Sequence, residues 1–182
     1  MARRRRHSVR GAANQTTWIV VGFLLVAVFL LLFWPVEWNG KDVARRSASL
    51  SNLKQIALGH AQYVADHDGF GPVPDNWMDQ LSPYLKQEEK WKFVAPIKGR
   101  TEGEYGYAYY RPLGDVKVWA VQNKEEVVLA FESSDLSWNA NGGLELLPDP
   151  PRWRGSMNNF AYLDGHANGR REPPKFEIVL PE

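Results

Sequence analysis

The stretch Trp18-Ile19-Val20-Val21-Gly22-Phe23-Leu24-Leu25-Val26-Ala27-Val28-Phe29-Leu30-Leu31-Leu32-Phe33-Trp34-Pro35-Val36 decides how the rest of the chain is read. No ionisable residue lies between Arg10 and Glu37. As a helix these residues would span about 28 Å, close to the ~30 Å hydrocarbon layer of a bilayer. A helix satisfies its own backbone groups, which lipid cannot do. Trp18 lies at one end and Trp34 and Trp38 at the other, where indoles favour the headgroup region. The run predicts a transmembrane helix over residues 17–37.

The flanks give its orientation. Residues 1–16 form a basic tail: Arg3, Arg4, Arg5, Arg6 and Arg10 precede the run and no acid does. Positive charge stays on the cytoplasmic side, so the C-terminal part is expected to be exported. A cleaved signal peptide would show a shorter apolar run and a small-x-small site; Phe33-Trp34-Pro35-Val36-Glu37 is a poor one, and a signal anchor is expected. The chain has 22 basic and 21 acidic residues, so beyond the five N-terminal arginines acids outnumber bases. The main domain therefore lacks a nucleic-acid footprint, and the expected contact is with the lipid bilayer. There is no cysteine, which excludes disulfides, thiol catalysis and Cys-ligated zinc. With 182 residues, the chain suits one anchor and one domain, residues 38–182.

Pro35 need not end the helix; near a membrane surface it can kink it. Gly40 weakens the join, and residues 41–66 read as helix. Val43, Leu50, Ala57 and Val64 recur every seven residues, with Leu53, Ile56 and Tyr63 on or beside the same stripe. Asp66-His67-Asp68-Gly69-Phe70-Gly71-Pro72 stops it. Asp75 is a candidate cap for a short helix over residues 76–85, with Trp77, Leu81, Tyr84 and Leu85 inward. Residues 92–95, 105–111, 116–121 and 127–132 read as strands. Residues 133–151 read as loop. Residues 158–163 and 166–170 meet across Asp164-Gly165, a signal for a hairpin with a type I′ turn. The expected fold class is α+β, one helix against a small antiparallel β-sheet.

Ser51-Asn52-Leu53-Lys54-Gln55-Ile56-Ala57-Leu58, followed by Tyr63 and the Asp66 to Gly69 turn, resembles the Leu-Lys-Gln helix of bacterial type IV pilin-like proteins related to the type II secretion pseudopilins. Asn159-Phe160-Ala161-Tyr162-Leu163-Asp164-Gly165-His166 resembles the late hairpin of the prepilin-associated His-x9-Asp-Gly type. Between them, Pro83-Tyr84, Pro96, Tyr105-Gly106-Tyr107 and Val128-Leu129-Ala130-Phe131-Glu132 follow in the family's order. The resemblance covers most of residues 43–170. It implies a pilin-like fold with a long N-terminal helix, transmembrane and then stalk. It also implies residence in the bacterial inner membrane, with the N-terminus cytoplasmic and the domain periplasmic. The expected partners are other pilin-like subunits or further copies of the chain.

The chain departs from the family at its start. A Gly/Phe cleavage junction followed by Thr-Leu-Ile-Glu is usual. Counting back from Pro35 places the junction near Ala13-Asn14 and the glutamate near Trp18, and neither residue type matches. Gly22-Phe23 has Ala27 where the glutamate belongs. Ser49 and Ala95 stand where relatives often carry cysteines, and Arg154 replaces the histidine ten residues before Asp164.

Candidate chemistry is sparse. Asp66 and Asp68, with carbonyls of the Gly-rich turn, form a candidate calcium site, although the spacing is not that of an EF-hand. Residues 132–135 with Asn139 and Asn141 are a second oxygen-rich place. No nucleophile elbow, His-Glu-x-x-His or phosphate loop occurs. Asp164, Gly165 and His166 read as a structural turn, His60 as a packed helix residue, and Trp77, Trp91, Trp119 and Trp153 as core. No catalytic residue or organic cofactor is expected. Leu50, Leu53, Ala57 and Val64 are the candidate helix-packing positions. The expected function is a membrane-anchored, pseudopilin-like assembly component of a type II secretion or type IV pilus-like apparatus. The alternative is a signal-anchored extracytoplasmic binding module that reuses the fold.

Overall fold

The computed structural model describes residues 10–32, 37–85 and 94–181. The basic tail before Arg10, the Phe33-Trp34-Pro35-Val36 junction, Trp91 and the first half of the expected strand 92–95 lie outside them. The chain divides into two compact units, Met1–Gly40 and Lys41–Glu182.

The first unit contains helix α1, Arg10–Leu32. Its described apolar side chains, including Trp18, Phe23, Leu24, Leu25 and Phe29, are exposed all round the helix. Among the described residues no helix is long and apolar enough to cross a membrane. The described side chains of α1 end at Phe29, while the apolar run of the sequence continues to Val36.

Helix α2, Glu37–Asp66, begins earlier than residue 41 and passes through Gly40 without a break. In the second unit it buries Leu53, Ile56, Ala57, His60, Tyr63 and Val64, one stripe at helical spacing. It ends as the sequence predicts. The Gly69 amide reaches back to the Val64 carbonyl (3.0 Å), and Asp68 takes φ 53°. That is a left-handed cap satisfying a carbonyl that the helix leaves free.

The expected helix over 76–85 is shorter. Only Trp77–Leu81 (α3) is α-helical, between 3₁₀ turns at Pro74–Asn76 and Ser82–Tyr84. Pro83 has no N–H to extend the ladder. Asp75 does not cap α3; its Oδ1 accepts from Arg111 Nη1 at 2.9 Å. Gly59 lets this segment approach α2 closely: a Cβ there would lie 2.6 Å from Leu85 Cδ2.

The sheet comprises β1 (Tyr107–Tyr110), β2 (Val128–Glu132), β3 (Asn141–Gly142), β4 (Asn158–Tyr162) and β5 (Ala167–Arg170), in the order β3-β1-β2-β4-β5. β1/β2, β2/β4 and β4/β5 pair antiparallel, as expected. β3, inside the stretch read as loop, pairs parallel to β1. Residues 116–121 form no strand. They make one bridge, Lys117 to Phe70, and a 3₁₀ turn Val118–Ala120. Val118 and Val121 are both buried, because three-residue spacing puts them on one side of such a turn. Within the described part of residues 92–95, no strand forms at Val94 and Ala95.

β1, β2 and β4 are buried throughout. Tyr107, Tyr109, Leu129 and Ala161 pack with α2 and α3. Phe131, Phe160, Tyr162 and Val128 form a second cluster with Leu146, Leu147 and Phe176. The sheet therefore has two covered faces, not one. The second cover includes the extended C-terminal segment, whose Phe176 meets Tyr110, Phe131 and Phe160 edge-on at 5.0, 5.4 and 6.5 Å.

The β4–β5 hairpin forms where Asp164-Gly165 predicts it, with a different turn. Only Gly165 has positive φ (97°). The Gly165 amide bonds to Tyr162 O (3.0 Å) and the Tyr162 amide to His166 O (2.9 Å). This is a three-residue loop with glycine in the left-handed position, rather than a two-residue type I′ turn.

Candidate functional site

The most concentrated polar chemistry surrounds Glu132. It closes β2 after four apolar residues, opposite Tyr107 of β1. Its side chain has no exposed surface. Trp153 Nε1 donates to Oε1 (2.8 Å) and Oε2 (2.7 Å). The Asn159 amide donates to Oε2 (2.8 Å) and its Nδ2 to Oε1 (3.2 Å). The Ser49 hydroxyl, from α2, also donates to Oε1. Tyr107 Oη in turn donates to Ser49 Oγ (3.2 Å) and accepts from Asn52 Nδ2 (3.3 Å). Arg152 sits nearby, with its guanidinium on the carbonyls of Gly106 (3.2 Å) and Ser133 (2.6 Å). Burial pushes the Glu132 carboxyl above the usual carboxylate range; the Ser49 hydroxyl and Arg152 pull it back. The cluster joins α2, three strands and the segment around Trp153 in one sealed network. Its chemistry is cohesion, because no side of the carboxylate is open.

His60 forms a second buried polar point. Its Nε2 lies 3.3 Å from Tyr109 Oη, and Gly71 packs against both. Burial pushes its pKa down to about 3, so the ring is neutral near pH 7.

Of the residues singled out from the sequence, Glu132 and Trp153 belong to this cluster, whereas Asp66, Asp68, Asp164 and His166 lie apart from it. Asp68 is exposed at the left-handed cap of α2, and the Asp66 carboxylate bonds to Tyr84, raising the phenol's pKa after burial has done so. Among the described residues, no three His, Asp or Glu side chains gather as a metal site. Residues 132–135 likewise do not converge: Glu132 is enclosed, while Asp135 Oδ1 accepts the Ser137 amide at 2.9 Å. Asp164 and His166 hold their own turn, with Nδ1 2.6 Å from Oδ1, and the imidazole stacks on Tyr162 at 4.1 Å. Leu53, Ala57 and Val64 are sealed in the core and Leu50 is half-buried. Trp77 and Trp153 are core residues as expected. Trp119 is 56% exposed, beside Phe70 and Lys117.

Ser49 and Glu132 are each legible in the sequence, but 83 residues separate them and nothing local joins them. The available signal was an ionisable residue at the end of the strand Val-Leu-Ala-Phe, a position whose charge must find partners.

Shallow clefts remain on the second unit. One of about 380 Å³ is lined by Glu125, Glu126, Tyr162, Arg170 and Lys175 among others. One of about 260 Å³ lies between the start of α2 and the segments holding Lys98 and Arg154. No protein-family model, curated protein or solved structure matches the chain.

Proposed function

We propose that the chain is a membrane-anchored, pilin-like assembly protein, a pseudopilin-like component of a type II secretion or type IV pilus-like apparatus. The observation that carries this proposal is the contrast between two successive helices. α2 buries a single apolar stripe against its own sheet, whereas α1 exposes apolar side chains on every side from Trp18 to Phe29. A helix that is apolar all round belongs in lipid or among other such helices. The α+β unit, with its Asp-Gly-His hairpin as the last strand pair, suits the head of such a subunit.

The family resemblance lacks the junction and glutamate of a processed pilin, which favours a member that keeps its N-terminus and stays in the inner membrane. Association then uses the outer face of α2, where Ala44, Ala48, Ser51 and Leu58 are exposed. Small side chains there permit close helix approach.

The absence of native cysteine makes a direct test clean. Leu58→Cys should give disulfide-linked dimers in membranes, and Leu53→Cys, buried in the core, should not. The chain should resist alkaline carbonate extraction and retain an intact N-terminus by mass spectrometry. Release by carbonate would overturn the anchor. A membrane-bound chain without cross-links along the outer face of α2 would instead support a solitary, tethered binding module.

A further inference from the structure

The cleft of about 380 Å³ on the second unit lies between the turn after Asn123 and the extended C-terminal segment, and its size is that of a small-ligand site, ~300–1,000 Å³. Asn123 ties its two walls together: Nδ2 donates to Glu177 O (3.3 Å) and Oδ1 accepts the Val179 amide (3.0 Å). Tyr162 of β4 lines the cleft. Its ring is almost wholly buried, and its hydroxyl has no hydrogen-bond partner among the described residues. His166 stacks on the ring at 4.1 Å and the Arg170 guanidinium lies over it at 5.9 Å, which leaves the hydroxyl end of the ring for the cleft. A buried phenol without a partner calls for one from outside the chain.

The charged walls are sorted by sign. Glu125 and Glu126 stand at one end, where the Leu163 and Asp164 amides bond to Val127 O (3.0 Å) and Lys124 O (3.3 Å) and so set this turn at the hairpin end of β4. Glu177, tied to Asn123, joins them. Arg170 pairs across from Asn158, at the opposite end of β4, and Lys175 comes before Glu177 along the C-terminal segment. Among the described residues, these five charged groups form no ion pair.

We propose that this cleft binds a short peptide with free termini, a di- or tripeptide held as a zwitterion. Its ammonium group meets Glu125, Glu126 and Glu177, its carboxylate meets Arg170 and Lys175, and a peptide carbonyl accepts the Tyr162 hydroxyl. Lys175 and Glu177 stand about 7 Å apart along an extended chain, and an extended dipeptide spans the same distance. A single amino acid is too short to reach both ends, and a ligand of one sign is attracted by one end and repelled by the other. Arg170 can take a carboxylate with paired donors. Burial raises the pKa of the phenol, so it stays protonated and acts as the donor. The site lies wholly in the second unit and does not depend on the anchor.

The test titrates the full chain in nonionic detergent, by calorimetry, with dialanine, trialanine, N-acetyl-dialanine and dialanine amide. At least one free peptide should bind saturably in the millimolar range, and each blocked form should bind about fivefold more weakly or worse. Arg170→Gln should weaken binding about tenfold or more, the loss expected for charge-assisted hydrogen bonds. Tyr162→Phe should weaken it about fivefold, the loss of one neutral hydrogen bond. The melting temperature of Tyr162→Phe without ligand should equal or exceed that of the wild type, because the hydroxyl it removes has no partner to lose. Weaker binding with undiminished stability separates a ligand contact from a structural role. No binding of either free peptide, equal affinity for the blocked forms, or unchanged affinity in either variant would overturn the proposal. Carbonate extraction tests the anchor separately, so failure of one does not imply failure of the other.

Discussion

The hydroxyl of Ser49, on α2, donates to the carboxylate of Glu132, at the end of β2, and neither residue is exposed to solvent. The two lie 83 residues apart in sequence, so this bond fixes the register of the helix on the sheet as well as its distance. Apart from His60 the rest of the buried stripe is apolar, and apolar packing alone tolerates sliding; a buried hydrogen bond to a charged group does not.

Removing the carboxylate should therefore cost more than its volume. Glu132→Ala strands the Trp153 indole N–H, the Asn159 amide and the Ser49 hydroxyl without their acceptor. Arg152 also loses the nearby charge that opposes its burial. Breaking a buried charged network of this kind costs ~3–5 kcal/mol. Ser49→Ala, which removes one of several donors, should cost about 1–2 kcal/mol. Urea unfolding of the two variants against wild type measures both; equal small losses would mean that the network contributes little.

The neutral, buried His60 makes stability depend on pH in one direction. Its folded pKa, pushed down to about 3, lies below that of the unfolded chain, ordinarily about 6.5. Below that value the unfolded chain takes up a proton that the folded chain refuses. Stability should thus fall as pH drops through the 6.5 to 3 window, approaching ~1.4 kcal/mol per pH unit from this group. Between pH 7 and 5 the carboxylates lowered by hydrogen bonds and Arg partners, such as Asp75, contribute little, because they stay ionised. The urea midpoint of the wild type should decline over that interval, and that of His60→Leu should be flatter.

Periodicity was a good guide wherever one element buried one face. The stripe along α2 and the Asp68-Gly69 stop follow from side-chain spacing and turn chemistry that are local in sequence, whereas the strands at 107–110, 128–132 and 158–162, buried on both faces, are legible from their β-branched and aromatic composition between turn residues. Residues 116–121 misled because β-branched residues suit a strand only when another strand lies beside them, and here a 3₁₀ turn buries Val118 and Val121 instead. β3 was invisible because two residues, Asn141 and Gly142, carry no pattern; their pairing to β1 is set by tertiary structure. The Ser49–Glu132 bond was hidden for the same reason: both residue types were visible, and their proximity was not.

The C-terminal segment was the larger omission, because its prolines and alternating charges resemble a tail. Phe176 nevertheless sits among Tyr110, Phe131 and Phe160, and its carbonyl accepts from Tyr110 Oη at 2.9 Å. Farther along, the Gln122 amide donates to Val179 O (3.0 Å) and the Val179 amide to Asn123 Oδ1 (3.0 Å). These bonds dock the segment as a strap across the second face of the sheet. Phe176→Ala should cost ~2–4 kcal/mol, below the full price of a wholly enclosed ring because this one is half-buried. Truncation before Pro173 should do more: Phe131 and Phe160 would lose their cover, and the unit should bind a hydrophobic dye and become sensitive to protease. A truncated chain that melts with the wild type would show that the strap is decoration, and that the segments carrying Leu146 and Leu147 cover that face unaided.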